Sequence, residues 1–341
     1  MRYLISGYVS AGTNGIYEME QPGKDGQPDA SPLLIPRCAE TERSTWLLAH
    51  PGGKLLYAAE ERRRADGEGT VAVLAMEGDR WPVMMRIPSG GGAPCHLSFD
   101  DRTEYLFISN YRDGFLTVWR LGKDGMPEAE TDRIGHDGHG PNASRQECAH
   151  LHSALYDGGV LYAADLGLDT VFAYTLGRES GRLSETGRFL LPPGSGPRHT
   201  AVHPAFPDLL YVDGEMSGDI YVLDRRGGSI LQTVSAVPQD MEGDYTASAL
   251  RFDGDTLYCS MRFRDAIVQF SLLPDGLLSS PVITPHRQKT PRDVLMTEGL
   301  CLTADQDSMG VTIYRREGSA LRELSFVETP GVRATCILPL S

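Results

Sequence analysis

Residues 160–166, VLYAADL, and residues 169–176, DTVFAYTL, decide the fold of this chain. The first segment is a short apolar strand, and the second alternates in character, as a strand with one buried face does. Turn residues rich in Gly, Asp and Lys follow such pairs elsewhere in the chain, as at residues 123–125 and 274–276. Glycine after aspartate supplies the positive φ that tight turns need. The unit is therefore strand, turn, strand, turn.

The same unit recurs along the whole chain. Its copies are RYLISGY from residue 2, LLYAAEE from 55, YLFISNY from 105, LLYVDGE from 209, TLYCSMR from 256 and GLCLTADQ from 299. The central apolar residues, which we call the anchors, recur every 44–55 residues and are Leu4, Tyr57, Phe107, Tyr162, Tyr211, Tyr258 and Leu302. Propeller blades repeat at about 40–50 residues, and no helical periodicity fills the gaps. The sequence predicts an all-β, seven-bladed β-propeller with four-stranded antiparallel blades.

The last segment, RATCILPL from residue 333, resembles a strand but has no blade of its own. We expect it to pair inside the N-terminal blade, so that the two terminal strands close the ring. No linker or compositional break interrupts the repeat, which predicts a single domain over residues 1–341. The least regular stretch, residues 132–147, is predicted to be a loop between blades.

Composition narrows the class of partner. The formal net charge of −14 disfavours nucleic acid and anionic membrane surfaces as partners. The N-terminus lacks the apolar core of a signal peptide, and no apolar run is long enough for a membrane helix. Six dispersed cysteines without a CxxC pair indicate reduced thiols. We therefore expect a cytoplasmic protein, monomeric or weakly dimeric, whose partner is a small molecule.

Polar side chains appear where the predicted channel opens. The innermost strand of each blade lines the channel of a propeller, so equivalent positions of the repeat converge on the axis. The residues four places after the anchors are Tyr8, Glu61, Tyr111, Leu166, Glu215, Arg262 and Gln306. Only one of the seven is aliphatic, which indicates a polar site at this end of the channel.

The segments that enter four of the blades are also unusual, and we expect them on the same face. They read PCH from residue 94, HLHS from 150, PRH from 197 and PRD from 291. Their candidate side chains are His96, His150, His152, Arg198, His199 and Arg292. Histidines, arginines and carboxylates around one cavity are the composition of an anion-binding acid/base site.

Structural roles are the alternative for several of these residues. Glu61 could pair with its neighbours at residues 62 and 63, and Arg292 could form a turn ion pair with Asp293. His96 and His199 could each bond the backbone of a neighbouring blade. A metal held by histidines 136, 139, 150 and 152 is disfavoured, because their loop lacks an organised carboxylate set. We predict no metal and no other cofactor.

Over nearly its whole length the chain resembles the family of bacterial 6-phosphogluconolactonases and fungal carboxymuconate cyclases, which are seven-bladed propellers. The motifs that carry the resemblance are LHSALYDGGVLYAADLGLDTVFAY from residue 151, GPRHTAVHP from 196, LYVDGEMSG from 210, LYCSMRFRDAIVQF from 257 and ADQDSMGVTIY from 304. The combination is specific, although each single motif is weak.

The resemblance implies a catalytic set of one histidine, two arginines and one glutamate. Matched motif to motif, these are His152, Arg198, Glu215 and Arg262. The family's Asn before the glutamate is replaced here by Gly214. The implied activity is hydrolysis of a sugar-acid lactone, with 6-phosphogluconolactonase as the leading example. A lactonising isomerase similar to a muconate cycloisomerase, and a non-catalytic interaction platform, remain as alternatives.

In the lactonase hypothesis, Arg198 and Arg262 hold the anionic group of the substrate and polarise the carbonyl of its lactone. His152 serves as general base, since its ordinary pKa lies close to neutral pH. Glu215 orients that histidine or, with a pKa raised by burial, acts as an acid. The predicted substrate-binding residues are His96, His150, His199, Tyr111, Glu61, Arg292 and Gln306. A phosphate would need one more basic residue at the edge, for which Arg292 or Arg264 is the candidate.

Overall fold

The computed structural model describes residues 1–9, 15–21, 32–38, 40–41, 43–61, 67–237 and 245–340. Within these ranges the chain forms 28 strands in seven four-stranded antiparallel sheets. Each sheet is one blade of a β-propeller. The all-β, seven-bladed architecture predicted from the anchors is confirmed.

The first three blades are built as follows, from the axis outward. Blade 1 contains β28 (Val332–Leu340), β1 (Arg2–Val9), β2 (Ile16–Glu20) and β3 (Leu33–Cys38). Blade 2 contains β4 (Ser44–Ala49), β5 (Leu55–Glu60), β6 (Thr70–Ala75) and β7 (Val83–Pro88). Blade 3 contains β8 (Pro94–Phe99), β9 (Tyr105–Asn110), β10 (Phe115–Leu121) and β11 (Pro127–Gly135).

The remaining four blades follow the same order. Blade 4 contains β12 (Leu151–Asp157), β13 (Val160–Asp165), β14 (Thr170–Leu176) and β15 (Leu183–Leu190). Blade 5 contains β16 (Pro197–His203), β17 (Phe206–Gly214), β18 (Asp219–Asp224) and β19 (Ile230–Ser235). Blade 6 contains β20 (Thr246–Asp253), β21 (Thr256–Arg262), β22 (Ala266–Ser271) and β23 (Val282–Pro285). Blade 7 contains β24 (Pro291–Thr297), β25 (Leu300–Asp305), β26 (Gly310–Glu317) and β27 (Ala320–Glu328).

Helix is confined, in the part of the chain that the structure describes, to a 3₁₀ turn at Leu166–Leu168. No helix among the described residues is therefore long and apolar enough to cross a membrane.

The anchors do not lie on the innermost strands. The strands next to the axis are β4, β8, β12, β16, β20, β24 and β28, and neighbours in this series contact one another around the ring. The anchors lie on the second strand of each blade, as Tyr57 does on β5. Second strands are covered on both faces by neighbouring blades, so their apolar runs stand out in the sequence. Inner strands are only partly buried and give a weaker signal.

The ring is closed by pairing of the terminal strands, as predicted. The β1–β28 ladder runs from Arg2 opposite Leu340 to Val9 opposite Val332, with an irregularity after Ser6. At this point β28 approaches the backbone of Gly7 so closely that a Cβ there would lie 1.9 Å from the carbonyl oxygen of Arg333. Only glycine fits such an approach, so Gly7 is part of the closure.

Anchor tyrosines also join successive blades. The hydroxyl of Tyr211 in blade 5 donates to the carbonyl oxygen of Gly276 in blade 6 at 2.6 Å, and Tyr57 in blade 2 bonds Gly125 in blade 3 in the same way. Both acceptors belong to the Asp-Gly turns noted in the sequence. Each such bond contributes about 1 kcal/mol beyond the burial of the ring. The repeat therefore encodes the contacts between blades as well as the strands.

The predicted loop at residues 132–147 is shorter than expected, because β11 continues to Gly135. His136 then enters the outer part of blade 4, where its ring nitrogens bond Asp165 at 2.7 Å and Tyr174 at 2.8 Å. The same arrangement recurs in blade 7, where His286 bonds Asp305 at 2.8 Å. His136 is thus a repeated structural residue of the blades.

Candidate active site

The antiparallel register brings the two unusual sets of residues to one face of the ring. The start of each inner strand lies opposite the end of the second strand: Pro197 pairs with Gly214 and Thr246 with Arg262. Polar residues at both positions therefore face the same mouth of the channel. The inner strands, not the anchor strands, carry His152 and Arg198.

Four charged or ionisable residues from blades 4, 5 and 6 form what we call the charged centre: His152, Arg198, Glu215 and Arg262. Glu215 Oε2 accepts from Arg198 Nη1 at 2.7 Å and forms an ion pair with Arg262 Nη2 at 3.0 Å. His152 Nε2 lies 3.8 Å from the same oxygen and is also in contact with Arg198 Nη1. The four residues are only 3–8% exposed. The structure thus brings the whole predicted catalytic set together.

Glu215 is ionised in this setting. Burial alone would raise its pKa, but the guanidinium groups of Arg262 and Arg198 outweigh burial and hold the pKa well below its usual value. The expectation that burial would raise this pKa, and so make Glu215 an acid, is wrong. An ionised carboxylate between guanidinium groups instead fixes their positions.

His152 is neutral. Burial, and then the charge of Arg198, hold its pKa well below the usual value. Because a guanidinium can only donate, Nε2 of the neutral ring carries the lone pair that faces Arg198. The Nδ1 atom is buried and has no hydrogen-bond partner among the described residues. A neutral imidazole has the lone pair that a general base needs, and in this structure Arg198 Nη1 occupies it.

Arg145 is a third guanidinium at the site, and it was not among the residues predicted from the sequence. It pairs with the second oxygen of Glu215, Oε1, and its Nη2 lies 3.4 Å from the hydroxyl of Tyr111. Its side chain is 38% exposed, whereas Arg198 and Arg262 are buried. Arg145 therefore faces the entrance while the other two form the interior.

The loop that carries Arg145 is held by two polar side chains. Asn142 Oδ1 accepts from the backbone N–H groups of Ser144 and Arg145 at 3.1 and 3.2 Å. The buried Gln146 donates to Asp169 at 2.8 Å. The only signal in the sequence was an arginine five residues before the HLH motif, and the path of a loop cannot be read from that.

Tyr111 and His150, both predicted to bind substrate, lie beside the charged centre. Their rings stack with centroids 4.6 Å apart, and the ring of Tyr111 meets His152 edge-on at 5.5 Å. The pKa of Tyr111 is raised by burial and by the charge of Glu215, so its hydroxyl is a donor at neutral pH.

The predicted residues Glu61, Arg292 and Gln306 form a second polar group with Tyr8. The Tyr8 hydroxyl donates to Glu61 at 2.7 Å, and Arg292 donates to Gln306 at 3.0 Å and lies over the Tyr8 ring. Arg292 links this group to the charged centre, because its charge, after burial and Arg198, helps to lower the pKa of His152. The two groups are therefore electrostatically coupled.

His96 and His199 lie one layer deeper in the channel, around Trp46. The ring of His96 is 4.4 Å from Trp46, and that of His199 is 5.7 Å from His152. Burial lowers the pKa of His96 to about 3, so it is neutral. These rings line a cavity of about 290 Å³ that extends away from the charged centre. They form the floor of the site.

Two of the structural alternatives can be compared with these contacts. Arg292 does not pair with Asp293, which binds Arg251 through both of its oxygens. His96 accepts from the backbone N–H of Ala154 in the next blade at 3.5 Å, so it does bond a neighbouring blade. The suggested partners of Glu61 at residues 62 and 63 lie outside the described residues, and its observed partners are Tyr8 and Arg43.

The four histidines that were weighed as metal ligands are not brought together. His136 is engaged in blade 4 by Asp165 and Tyr174, and His139 bonds the backbone of Gly140. His150 and His152 belong to the site itself.

Comparison with known proteins gives the family. The sequence model described as "Lactonase, 7-bladed beta-propeller" matches residues 2–338. A 6-phosphogluconolactonase of Bacillus subtilis is 28% identical over 327 residues, which are 92% of this chain and 90% of that protein. A crystal structure of a protein from Lactobacillus plantarum superposes with a TM-score of 0.88 at 26% identity, covering 99% of this chain and 98% of that one.

A periplasmic gluconolactonase of Pseudomonas aeruginosa has the same fold. It superposes with a TM-score of 0.87 at 24% identity and covers all of both chains. The predicted family, the propeller fold and the assignment to the lactonase class of enzyme are confirmed. The chain belongs to the seven-bladed β-propeller lactonase family.

Proposed function

We propose that this chain hydrolyses an anionic sugar-acid lactone, with 6-phosphogluconolactone as the leading substrate. The observation that carries the proposal is the coordination of one buried carboxylate, Glu215, by Arg145, Arg198 and Arg262 next to a neutral histidine. Three guanidinium groups and one carboxylate leave a local excess of two positive charges, although the chain as a whole carries −14. Charges farther away than about 8–10 Å are screened, so the local excess governs binding.

The buried arginines supply electrostatic stabilisation. Arg198 and Arg262 are held by Glu215 and can donate to the lactone carbonyl, where negative charge develops as water adds. Because Glu215 fixes them before substrate arrives, little reorganisation is needed. Removing one such donor in other enzymes costs about 10²–10³ in rate.

His152 moves the proton. When Arg198 donates to the lactone carbonyl instead of to His152, the Nε2 lone pair of His152 is released. Nε2 then takes a proton from the attacking water as the C–O bond forms, and the tetrahedral oxyanion is held by the arginines. The resulting imidazolium then gives this proton to the ring oxygen as the ester bond breaks. The products are the open hydroxy acid and the neutral enzyme, and the acid loses a proton to solvent. A general base contributes about 10²–10⁴ in rate.

Arg145 is the residue that we assign to the anionic group of the substrate. It is the most exposed of the three guanidinium groups around Glu215, and bidentate guanidinium–phosphate contacts suit its planar shape. Arg145 replaces Arg292 and Arg264 as the candidate for this role. Arg292 is half-buried and is already engaged by Tyr8 and Gln306.

The deciding experiment measures hydrolysis of freshly prepared 6-phosphogluconolactone above its spontaneous rate. Appearance of the open acid is coupled to a 6-phosphogluconate dehydrogenase that reduces NADP⁺. We expect turnover by the native chain, a loss of about 10²–10⁴ in kcat for His152→Ala, and no change for the exposed His139→Ala. Equal rates for the native chain and His152→Ala would refute the assignment. Turnover of a muconate-type diacid instead of the lactone would indicate the isomerase.

The setting of the protein is part of the same proposal. We propose that residues 1–341 form one domain, that the protein is cytoplasmic and monomeric or weakly dimeric, and that it binds neither nucleic acid nor membranes. The six cysteines are thiols rather than disulfides, which supports a reducing compartment. Gel filtration with light scattering tests the oligomeric state.

A further inference from the structure

Three donor side chains of different chemistry meet on the loop that leads into β12. Glu147, Cys148 and His150 each offer one ligand atom, and these atoms all lie within 4.8 Å of one another. His150 Nε2 is 3.3 Å from Glu147 Oε2 and 3.9 Å from Cys148 Sγ. The hydrolysis proposed above uses neither the thiol nor the Glu147 carboxylate.

The hydrogen bonding of His150 determines which ring nitrogen faces this cluster with a lone pair. Nδ1 lies 2.8 Å from the backbone oxygen of Tyr111, and since a carbonyl oxygen can only accept, Nδ1 carries the proton. Nε2 is then the ring nitrogen that faces Glu147 and Cys148. Metal-binding histidines are oriented by this kind of bond from the other ring nitrogen.

We propose that Glu147, Cys148 and His150 form a binding site for a borderline divalent transition metal, represented by Zn²⁺, with water as the fourth ligand. A thiolate, an imidazole and a carboxylate are ligands that zinc accepts together, whereas Mg²⁺ and Ca²⁺ prefer oxygen. Zinc bonds of about 2.0–2.3 Å in a tetrahedron separate ligand atoms by about 3.3–3.6 Å. The separations of 3.3 and 3.9 Å from His150 Nε2 lie within a few tenths of an ångström of this range. The Glu147–Cys148 separation, which is within 4.8 Å, shortens when the exposed Glu147 side chain moves toward the ion.

The exposure of the cluster allows an ion to enter and the ligands to adjust. The Glu147 side chain is 57% exposed, while that of His150 is buried and fixed by its bond to Tyr111. Glu147 is thus the ligand that closes over the ion. The site departs from our sequence prediction, which named no metal residues and weighed only histidines as ligands.

The ion would connect the loop that bears Arg145 to the start of β12. Arg145 lies two residues before Glu147, and the ring of His150 stacks on Tyr111, which Arg145 also contacts. The ion lies beside the charged centre and takes no part in hydrolysis. Any effect of the ion on substrate binding through Arg145 rests on the proposed function. The binding of the ion itself does not depend on that function.

Co²⁺ is the probe that tests the site, because a cobalt–thiolate bond gives a charge-transfer band in the near ultraviolet. We expect metal-free native protein to bind one Co²⁺ with this band, and Zn²⁺ to displace it. Cys148→Ser should abolish the band, and Glu147→Gln should weaken Co²⁺ binding at least tenfold. The matched control is Cys95→Ser, another partly buried cysteine, which should keep the band.

Three results would overturn the site. The first is that the native protein with Co²⁺ shows no thiolate band. The second is that the band persists in Cys148→Ser, and the third is that Cys95→Ser loses the band as completely as Cys148→Ser does. The first is expected if a proton rather than a metal lies between His150 and Glu147. Since no lactone is used, failure here leaves the proposed hydrolysis untouched, and failure of the hydrolysis leaves this measurement valid.

Discussion

Arg145→Gln should separate recognition of the substrate's anionic group from the chemistry. Glutamine cannot carry the positive charge that faces the entrance. Glu215 would still be paired with Arg198 and Arg262, so the charged centre keeps its arrangement. We therefore expect the change to act mainly on the KM for a lactone that carries a phosphate.

The magnitude follows from the exposure of the side chain. A hydrogen bond to a charged group contributes about 1.5–3 kcal/mol, and the lower value applies here because Arg145 is 38% exposed and partly screened. A loss of about 1.5 kcal/mol corresponds to a rise in KM of about tenfold. For uncharged gluconolactone we expect KM and kcat within about threefold of the native values.

Initial rates on both lactones, corrected for spontaneous hydrolysis, provide the assay. Arg133→Gln is a matched control, since Arg133 is 40% exposed and also pairs with a glutamate, Glu130. It should change neither KM. If Arg145→Gln raises both KM values equally, or lowers kcat for both lactones without affecting KM, Arg145 does not bind the anionic group.

Three further outcomes follow from the structure. Burial and Arg198 hold the pKa of His152 well below its usual value, so kcat/KM should stay constant from pH 7 to below about pH 6. A fall of kcat/KM by half near pH 6.5 would show that the catalytic histidine has an ordinary pKa and would contradict this prediction. Burial raises the pKa of Asp213 from its ordinary value of 3.8 to about 7. The protonated carboxyl therefore stabilises the folded state fully below pH 3.8, and this stabilisation is lost as the pH rises toward 7. Asp213→Asn, which keeps the acceptor for the His199 N–H, should flatten this part of the melting-temperature profile, and an unchanged slope would contradict the assignment. Gly7→Ala should lower the melting temperature strongly, because the new Cβ would overlap the backbone of Arg333. Gly53→Ala is the control: nothing lies within 4 Å of a Cβ there, so the melting temperature should fall much less even though the φ of Gly53 is positive.

The fold could be predicted because the second strand of every blade is buried on both faces. That burial selects runs such as LLYAAE and TLYCSMR, and their spacing revealed the ring. The final strand, from residue 333, has no blade of its own in the repeat, and this indicated that it closes the ring by pairing in the N-terminal blade. The position of the anchors relative to the axis could not be read, since periodicity orders strands along the chain but does not indicate which one is innermost.

The site was predictable to the extent that it follows the repeat. Residues at strand ends, such as Glu215 and Arg262, meet because the blades are equivalent, and the family resemblance supplied their roles. Arg145 was missed because it lies on a loop whose path depends on Asn142 and Gln146. The direction of the Glu215 pKa was misjudged because burial and nearby cations act in opposite directions, and only distances show which is larger.

The closure of the ring affects how the chain folds during its synthesis. The inner strand of the first blade is made of residues 332–340, more than three hundred residues after its partner β1. While the chain is being synthesised, the N-terminal blade therefore presents an open edge to the cell, and such edges invite pairing with other chains. Blades 2–7 can form in sequence on the ribosome, but the first is completed only after the last strand has emerged. Correct folding should thus depend on how quickly β28 pairs with β1 once it has emerged, before another chain pairs with the open edge of β1.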